Sequence, residues 1–169
     1  MSKIRFKSTI MYSAKRGDQG SIKMLFSSFI GEDETILGVE YFGRYGVFFH
    51  THSFVCVTDK KLYAMEYGPY GKMILSDAFI EEINSGAIFQ PSLFNLYFIG
   101  TILCLTIVGI LLLNTWVRMY YKVNKSGMVW VIKEGSNIWA FANRSKMDLV
   151  NSFWRRVSFI RNQRKLSMK

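Results

Sequence analysis

Charge is absent from the middle of this chain: no Asp, Glu, Lys or Arg occurs between Glu82 and Arg118. Cysteine is nearly absent too. The two that exist, Cys56 in a strand-like run and Cys104 inside the uncharged stretch, exclude a disulfide framework and suit a reducing compartment. Histidine is equally scarce. His50 and His52 share one face of a strand, a spacing that can hold a metal, but no third ligand lies near them in sequence, so no metal is expected. Proline occurs twice, at Pro69 and Pro91, which excludes a proline-rich linker. The first ten residues alternate Lys3, Arg5 and Lys7 with apolar residues and lack the apolar core of a secretory signal. Gly43-Arg44-Tyr45-Gly46 and Gly68-Pro69-Tyr70-Gly71 lack the spacing of a phosphate loop and read as hairpin turns. Glu32-Asp33-Glu34 and Glu81-Glu82 are adjacent carboxylates that point apart, so they read as solvated turn charges. With no nucleophile elbow, zinc knuckle or Cys/His dyad either, neither an enzyme nor a cofactor is expected.

The uncharged stretch does contain a long apolar run opened by Pro91, at a position that suits the first residue of a helix. Leu93 to Trp116 is 24 residues, roughly 36 Å of helix, against ~30 Å of bilayer hydrocarbon. Tyr97 at one end and Trp116, Tyr120 and Tyr121 at the other suit the two headgroup zones. Residues 91–117 are therefore expected to be a membrane-embedded helical segment of an integral membrane protein. The net charge of +10 comes wholly from the C-terminal third: residues 1–91 carry ten basic and ten acidic side chains, residues 118–169 twelve and two. The near N-terminal flank of the segment offers only Lys72, the C-terminal flank Arg118, Lys122, Lys125 and Lys133. Positive flanks face the cytoplasm, so the C-terminal basic part is expected there. Beside such a segment, the basic pole points to anionic membrane lipids or an acidic partner subunit, not to nucleic acid.

In chain order, residues 1–20 read as a basic N-terminal arm without fixed structure. Ile22, Leu25, Phe26, Phe29 and Ile30 form one face of a short amphipathic helix over 21–31, closed by Gly31. From 32 to 84 the composition is that of a β domain, with strands near 35–42, 45–50, 53–58, 61–67 and 72–75 and a short polar stretch at Asp77–Ser85. Strand signals resume near 119–124, 128–133 and 137–142. A final helix starts near Lys146, with Ser145 and Asp148 as its capping box and Met147, Val150, Phe153, Trp154, Val157 and Ile160 as its apolar face. Residues 163–169 make a basic tail.

About seven strands followed by one amphipathic helix is the element order of pleckstrin-homology-like domains. The run Ser53-Phe54-Val55-Cys56-Val57-Thr58-Asp59-Lys60-Lys61-Leu62-Tyr63 resembles the strand–turn–strand "VVTDKRL" of bacterial pleckstrin-homology and GRAM-like domains, and Phe79-Ile80-Glu81-Glu82-Ile83 is similar to their "I-x-x-I" step. The resemblance covers about 32–84 and 118–162. It implies an α+β fold: an antiparallel barrel or sandwich of about seven strands with a C-terminal helix, and the membrane helix inserted between strands four and five.

A barrel split across a bilayer cannot close, which leaves two readings open. Either 91–117 crosses once as a straight helix, or it enters and leaves on one side as a shallow hairpin bent at Gly100-Thr101, keeping the N-terminal part on the same side. Gly100, Cys104 and Gly109 are small residues that let a partner helix approach. Arg155, Arg156, Arg161 and Arg164 are candidates to face a partner or lipid. The lipid-binding members need several bases between strands one and two, where this chain offers Arg44 alone. Two functions are therefore expected in order: a non-catalytic accessory or assembly subunit of a larger membrane complex, then a stand-alone adaptor that recruits a soluble partner or anionic lipid.

Overall fold

The computed structural model describes residues 8–45, 50–133 and 136–167. Two short helices come first, α1 (Ser8–Ala14) and α2 (Gln19–Phe26). Gly17, at φ 89°, turns the chain between them, and the Asp18 carboxylate caps α2 by accepting from the Ser21 N–H at 2.8 Å. Both helices therefore begin inside the stretch expected to be an arm.

Four antiparallel strands come next in simple meander order: β1 (Ile36–Tyr45), β2 (Thr51–Thr58), β3 (Lys61–Tyr67) and β4 (Met73–Phe79). A second antiparallel sheet holds β5 (Ile83–Phe89), β6 (Ser126–Ile132) and β7 (Asn137–Ala142). Along β2 the side chains alternate between two burial sites, as the two-residue period of a strand requires. Val55 and Val57 join Leu62, Trp130 and Phe153 in one core, beneath the second sheet and helix α5 (Met147–Ser167). Phe54 and Cys56 join Met11, Ile22, Leu25 and Phe26 in another, beneath α1 and α2. The four-stranded sheet is thus covered on both faces.

The β2–β3 turn sits where Asp59-Lys60 places it. The Thr58 hydroxyl donates to Glu34 at 2.8 Å and accepts from the Lys61 N–H at 2.8 Å, while Asp59 accepts from the Thr35 N–H at 2.8 Å. Phe153 and Val157 are each 1% exposed, and Phe153 meets Phe42 edge-on with ring centroids 5.7 Å apart. The start of α5 differs in detail from the expected capping box. Asn143, not Ser145, is the cap of the preceding turn, accepting from the Ser145 N–H and hydroxyl at 3.1 Å.

Several expectations are corrected. The sheets of four and three strands do not close into a barrel. Asp77–Ser85 is not a polar break: β4 runs on to Phe79 and β5 starts at Ile83, so the insertion falls between β5 and β6 rather than between strands four and five. Residues 119–124 are largely helix, not strand, because they continue the helix that precedes them. The expected strand at 45–50 lies mostly outside the described residues.

The largest correction concerns 91–117. It is two helices, α3 (Phe94–Cys104) and α4 (Ile107–Val123), broken at Leu105-Thr106 and not at Gly100-Thr101. Thr106 is extended at φ −128° and ψ 146°, and its hydroxyl oxygen accepts from the Gly109 N–H at 2.9 Å, capping α4. Among the described residues no helix is long and apolar enough to cross a membrane. The integral, transmembrane placement is therefore overturned, and with it the topology inferred from flanking charge.

Candidate functional site

The α3–α4 hairpin is the part of the chain whose chemistry is not used up by its own fold. Its arms are antiparallel, pairing Leu103 with Gly109 at the tip, Gly100 with Leu113 in the middle, and Leu96 with Trp116 and Ser92 with Tyr120 at the root. Gly109 is required at the tip, because a Cβ there would stand 1.9 Å from the Leu103 carbonyl oxygen. At the root the Trp116 indole N–H donates to the Leu96 carbonyl at 3.3 Å, and the Tyr120 hydroxyl donates to the Ser92 carbonyl. The Arg144 guanidinium ties the root to the β body by donating to the Pro91 carbonyl at 2.9 Å.

Outside this seam the hairpin is largely apolar and uncovered. Phe94, Tyr97, Phe98, Ile102, Leu105, Val108, Ile110, Leu111, Leu112 and Met119 are each at least 50% exposed. Ile110, Leu111 and Leu112 are consecutive, so they point about 100° apart and cannot share one face. Large apolar side chains exposed on more than one face suit an apolar surrounding better than water. Polar side chains are interspersed along the arms: Asn95, Thr101, Asn114 and Thr115 are exposed, although the Thr101 hydroxyl donates to the Tyr97 carbonyl at 2.8 Å and Thr106 is the cap already described. Polarity returns at the root, where Arg118 is exposed and the Lys125 ammonium lies 5.0 Å from the Tyr45 ring centroid and 4.4 Å from that of Phe141.

The residues singled out from sequence do not gather in one place. Gly100 is buried against Leu113, and Gly109 is committed to the tip. Cys104 is exposed. The four arginines do not form one free face. Arg164 pairs with Glu81 at 2.5 Å, Arg161 donates to the Asn84 carbonyl at 3.2 Å, and Arg156 lies across Gly38, leaving Arg155 exposed on the outside of α5.

The acidic runs are also engaged: Asp33 pairs with Lys60, and Glu34 accepts from the Tyr63 hydroxyl at 3.1 Å. His52 turns onto Tyr41, whose hydroxyl stands 2.7 Å from Nδ1. Burial, then Lys15, His50 and Arg44, push the His52 ring down to about 4. Among the described residues no three His, Cys, Asp or Glu side chains group to hold a metal. Burial, aided by Glu34, pushes the Cys56 thiol up to about 12, far from a reactive thiolate.

Sequence reasoning missed the break at Leu105-Thr106. Its one signal is a Thr three residues before a Gly inside an otherwise apolar run, a weak cap signature that hydropathy overwhelms. Comparison of the chain with protein-family models, with curated proteins and with solved structures finds no match.

Proposed function

We propose that the protein is a non-catalytic adaptor that docks on an anionic lipid surface through the α3–α4 hairpin and presents its β body to a soluble partner. The observation that carries this reading is the exposed apolar surface spread over more than one face of the hairpin. A protein partner covers one face of a helix, whereas acyl chains cover every face at once. From Trp116 to Thr106 the arm reaches about 15 Å, half of the ~30 Å hydrocarbon thickness, so the hairpin enters one leaflet without crossing. Trp116, Tyr120, Arg118 and Lys125 then lie at headgroup level, where amphipathic rings and cations are favoured. The resemblance to pleckstrin-homology-like domains supports a non-catalytic β scaffold and nothing finer. The accessory-subunit reading has less support, since Gly100 and Gly109 are used inside the hairpin and Cys104 alone remains for a partner helix.

Flotation with phosphatidylcholine vesicles containing a minor fraction of phosphatidylserine tests the proposal. The wild-type chain should float, and should still float in high salt. Phe98→Asp combined with Leu111→Asp should weaken binding at least about tenfold, because each buried apolar side chain contributes about 1.5–3 kcal/mol. A wild-type chain that stays at the bottom, or a double variant that floats equally well, would overturn it.

A further inference from the structure

A cleft of about 370 Å³ opens where four separate segments meet. Lys15 comes from the turn after α1, Arg44 and Tyr41 from β1, His52 from β2, and Lys146, with Asn143 and Ser145, from the turn before α5. Among the described residues no carboxylate lines it, and none of Lys15, Arg44 and Lys146 forms an ion pair. Lys15 instead rests 5.5 Å from the centroid of the Tyr67 ring. The carboxylate whose field Lys146 shares, Glu40, is half-buried, and that burial raises its pKa.

The walls are fixed. Gly43 holds φ 102°, and a Cβ there would stand 2.8 Å from the Asn143 Cβ, so only glycine lets the β7–α5 turn approach β1 this closely. The Asn143 N–H then donates to the Phe42 carbonyl at 2.8 Å, fastening the turn to the strand. The Tyr41 hydroxyl and His52 Nδ1 share a hydrogen bond of 2.7 Å, which fixes the ring against β1.

We infer that this cleft binds the phosphoryl group of a phosphomonoester. Three cations from three separate segments match a tetrahedral dianion better than a planar carboxylate, which one guanidinium fork already satisfies. The flanking donors are neutral and add hydrogen bonds without adding charge. Sequence reading counted Arg44 alone because the other two cations lie 29 residues before it and 102 after it. The phosphomonoester is either a soluble metabolite-sized ester or the headgroup of a lipid. The second source has a structural reason: Arg144, between the cleft residues Asn143 and Ser145, also holds the root of the hairpin. The inference does not depend on lipid docking, since a soluble ester fills the same cleft.

The full-length chain is titrated with glycerol 3-phosphate, and separately with phosphatidylcholine vesicles carrying a small fraction of phosphatidic acid or, at equal charge, of phosphatidylserine. Saturable binding of glycerol 3-phosphate supports a soluble ester. A preference for phosphatidic acid over phosphatidylserine, with no binding of the soluble ester, supports a headgroup. In either case Arg44→Gln and Lys146→Gln should each weaken binding by about tenfold, the factor carried by one charge-assisted hydrogen bond. Lys60→Gln, whose cation pairs with Asp33 outside the cleft, should change nothing. Lys15→Gln, outside both sheets, gives an independent reading should either variant fail to fold. Absence of saturable binding to the soluble ester together with equal binding to both vesicles, or unchanged affinity in all three cleft variants, overturns the inference.

Discussion

The β body and the hairpin are both rich in large apolar side chains, yet they spend them differently. In the body, Phe42, Phe54, Trp130 and Phe153 are wholly or almost wholly buried because strands alternate and each face has a layer waiting for it. In the hairpin, side chains of the same kind cover a single seam, and Phe94, Leu105 and Leu111 are 70%, 80% and 77% exposed. The contrast teaches that hydropathy reports a demand for an apolar surrounding without saying who supplies it. The body supplies its own. The hairpin leaves most of its own uncovered.

The sharpest way to break that comparison is to truncate one apolar side chain in each region. Phe153→Ala should cost about 3–5 kcal/mol in urea unfolding, the range for deleting a buried aromatic ring. Leu111→Ala should stay within about 0.5 kcal/mol, as exposed sites do. Equal losses would mean that the hairpin packs on the body and that its exposure is misread.

Excising the hairpin sharpens the comparison further. Phe89 and Gly127 are register partners across β5 and β6, so a short turn replacing residues 90–125 can close them directly. The excised chain should unfold within about 2 kcal/mol of wild type, since loop length enters closure only logarithmically. It should also lose vesicle flotation entirely. A body that no longer folds would make the hairpin part of the core.

The smallest expected effect is confined to the body and concerns pH. His52 titrates near 4 when folded, held down first by burial and then by Lys15, His50 and Arg44, against about 6.5 in an unfolded chain. Between those values the unfolded chain binds a proton that the folded ring refuses. The stability is therefore present above about pH 6.5 and is lost as pH falls toward 4. Because the ring is half-exposed, solvent screening holds the loss to about 1 kcal/mol. Stability curves for wild type and His52→Gln should converge across that window; parallel curves would remove the effect.

Much of the body was legible in the sequence. Thr58-Asp59-Lys60-Lys61 announces its hairpin through turn chemistry, and the spacing of Val150, Phe153, Val157 and Ile160 announces the buried stripe of α5, because both signals are local. Strand β5 was not legible: Asn84-Ser85-Gly86 lacks strand propensity, and its pairing with Val131 and Trp130 supplies what the residues do not. The end of α4 failed in the opposite sense. Met119-Tyr120-Tyr121 favours a strand in isolation, yet an established helix extends through it more cheaply than a new strand begins. The basic cleft was invisible because its cations become neighbours only when two sheets and α1 are in place.

The pairing of Ser92 with Tyr120 and of Leu96 with Trp116 at the hairpin root bears on how the chain folds. Joining β5 to β6 through an unstructured connector of that length would forfeit about 3 kcal/mol of chain entropy before the first ladder bond formed. Two helices that zip together locally, on the microsecond scale of helix and hairpin formation, bring Phe89 and Gly127 within reach beforehand. In kinetic terms the insertion then converts a distant contact into a near one, and the second sheet assembles as though its strands were consecutive.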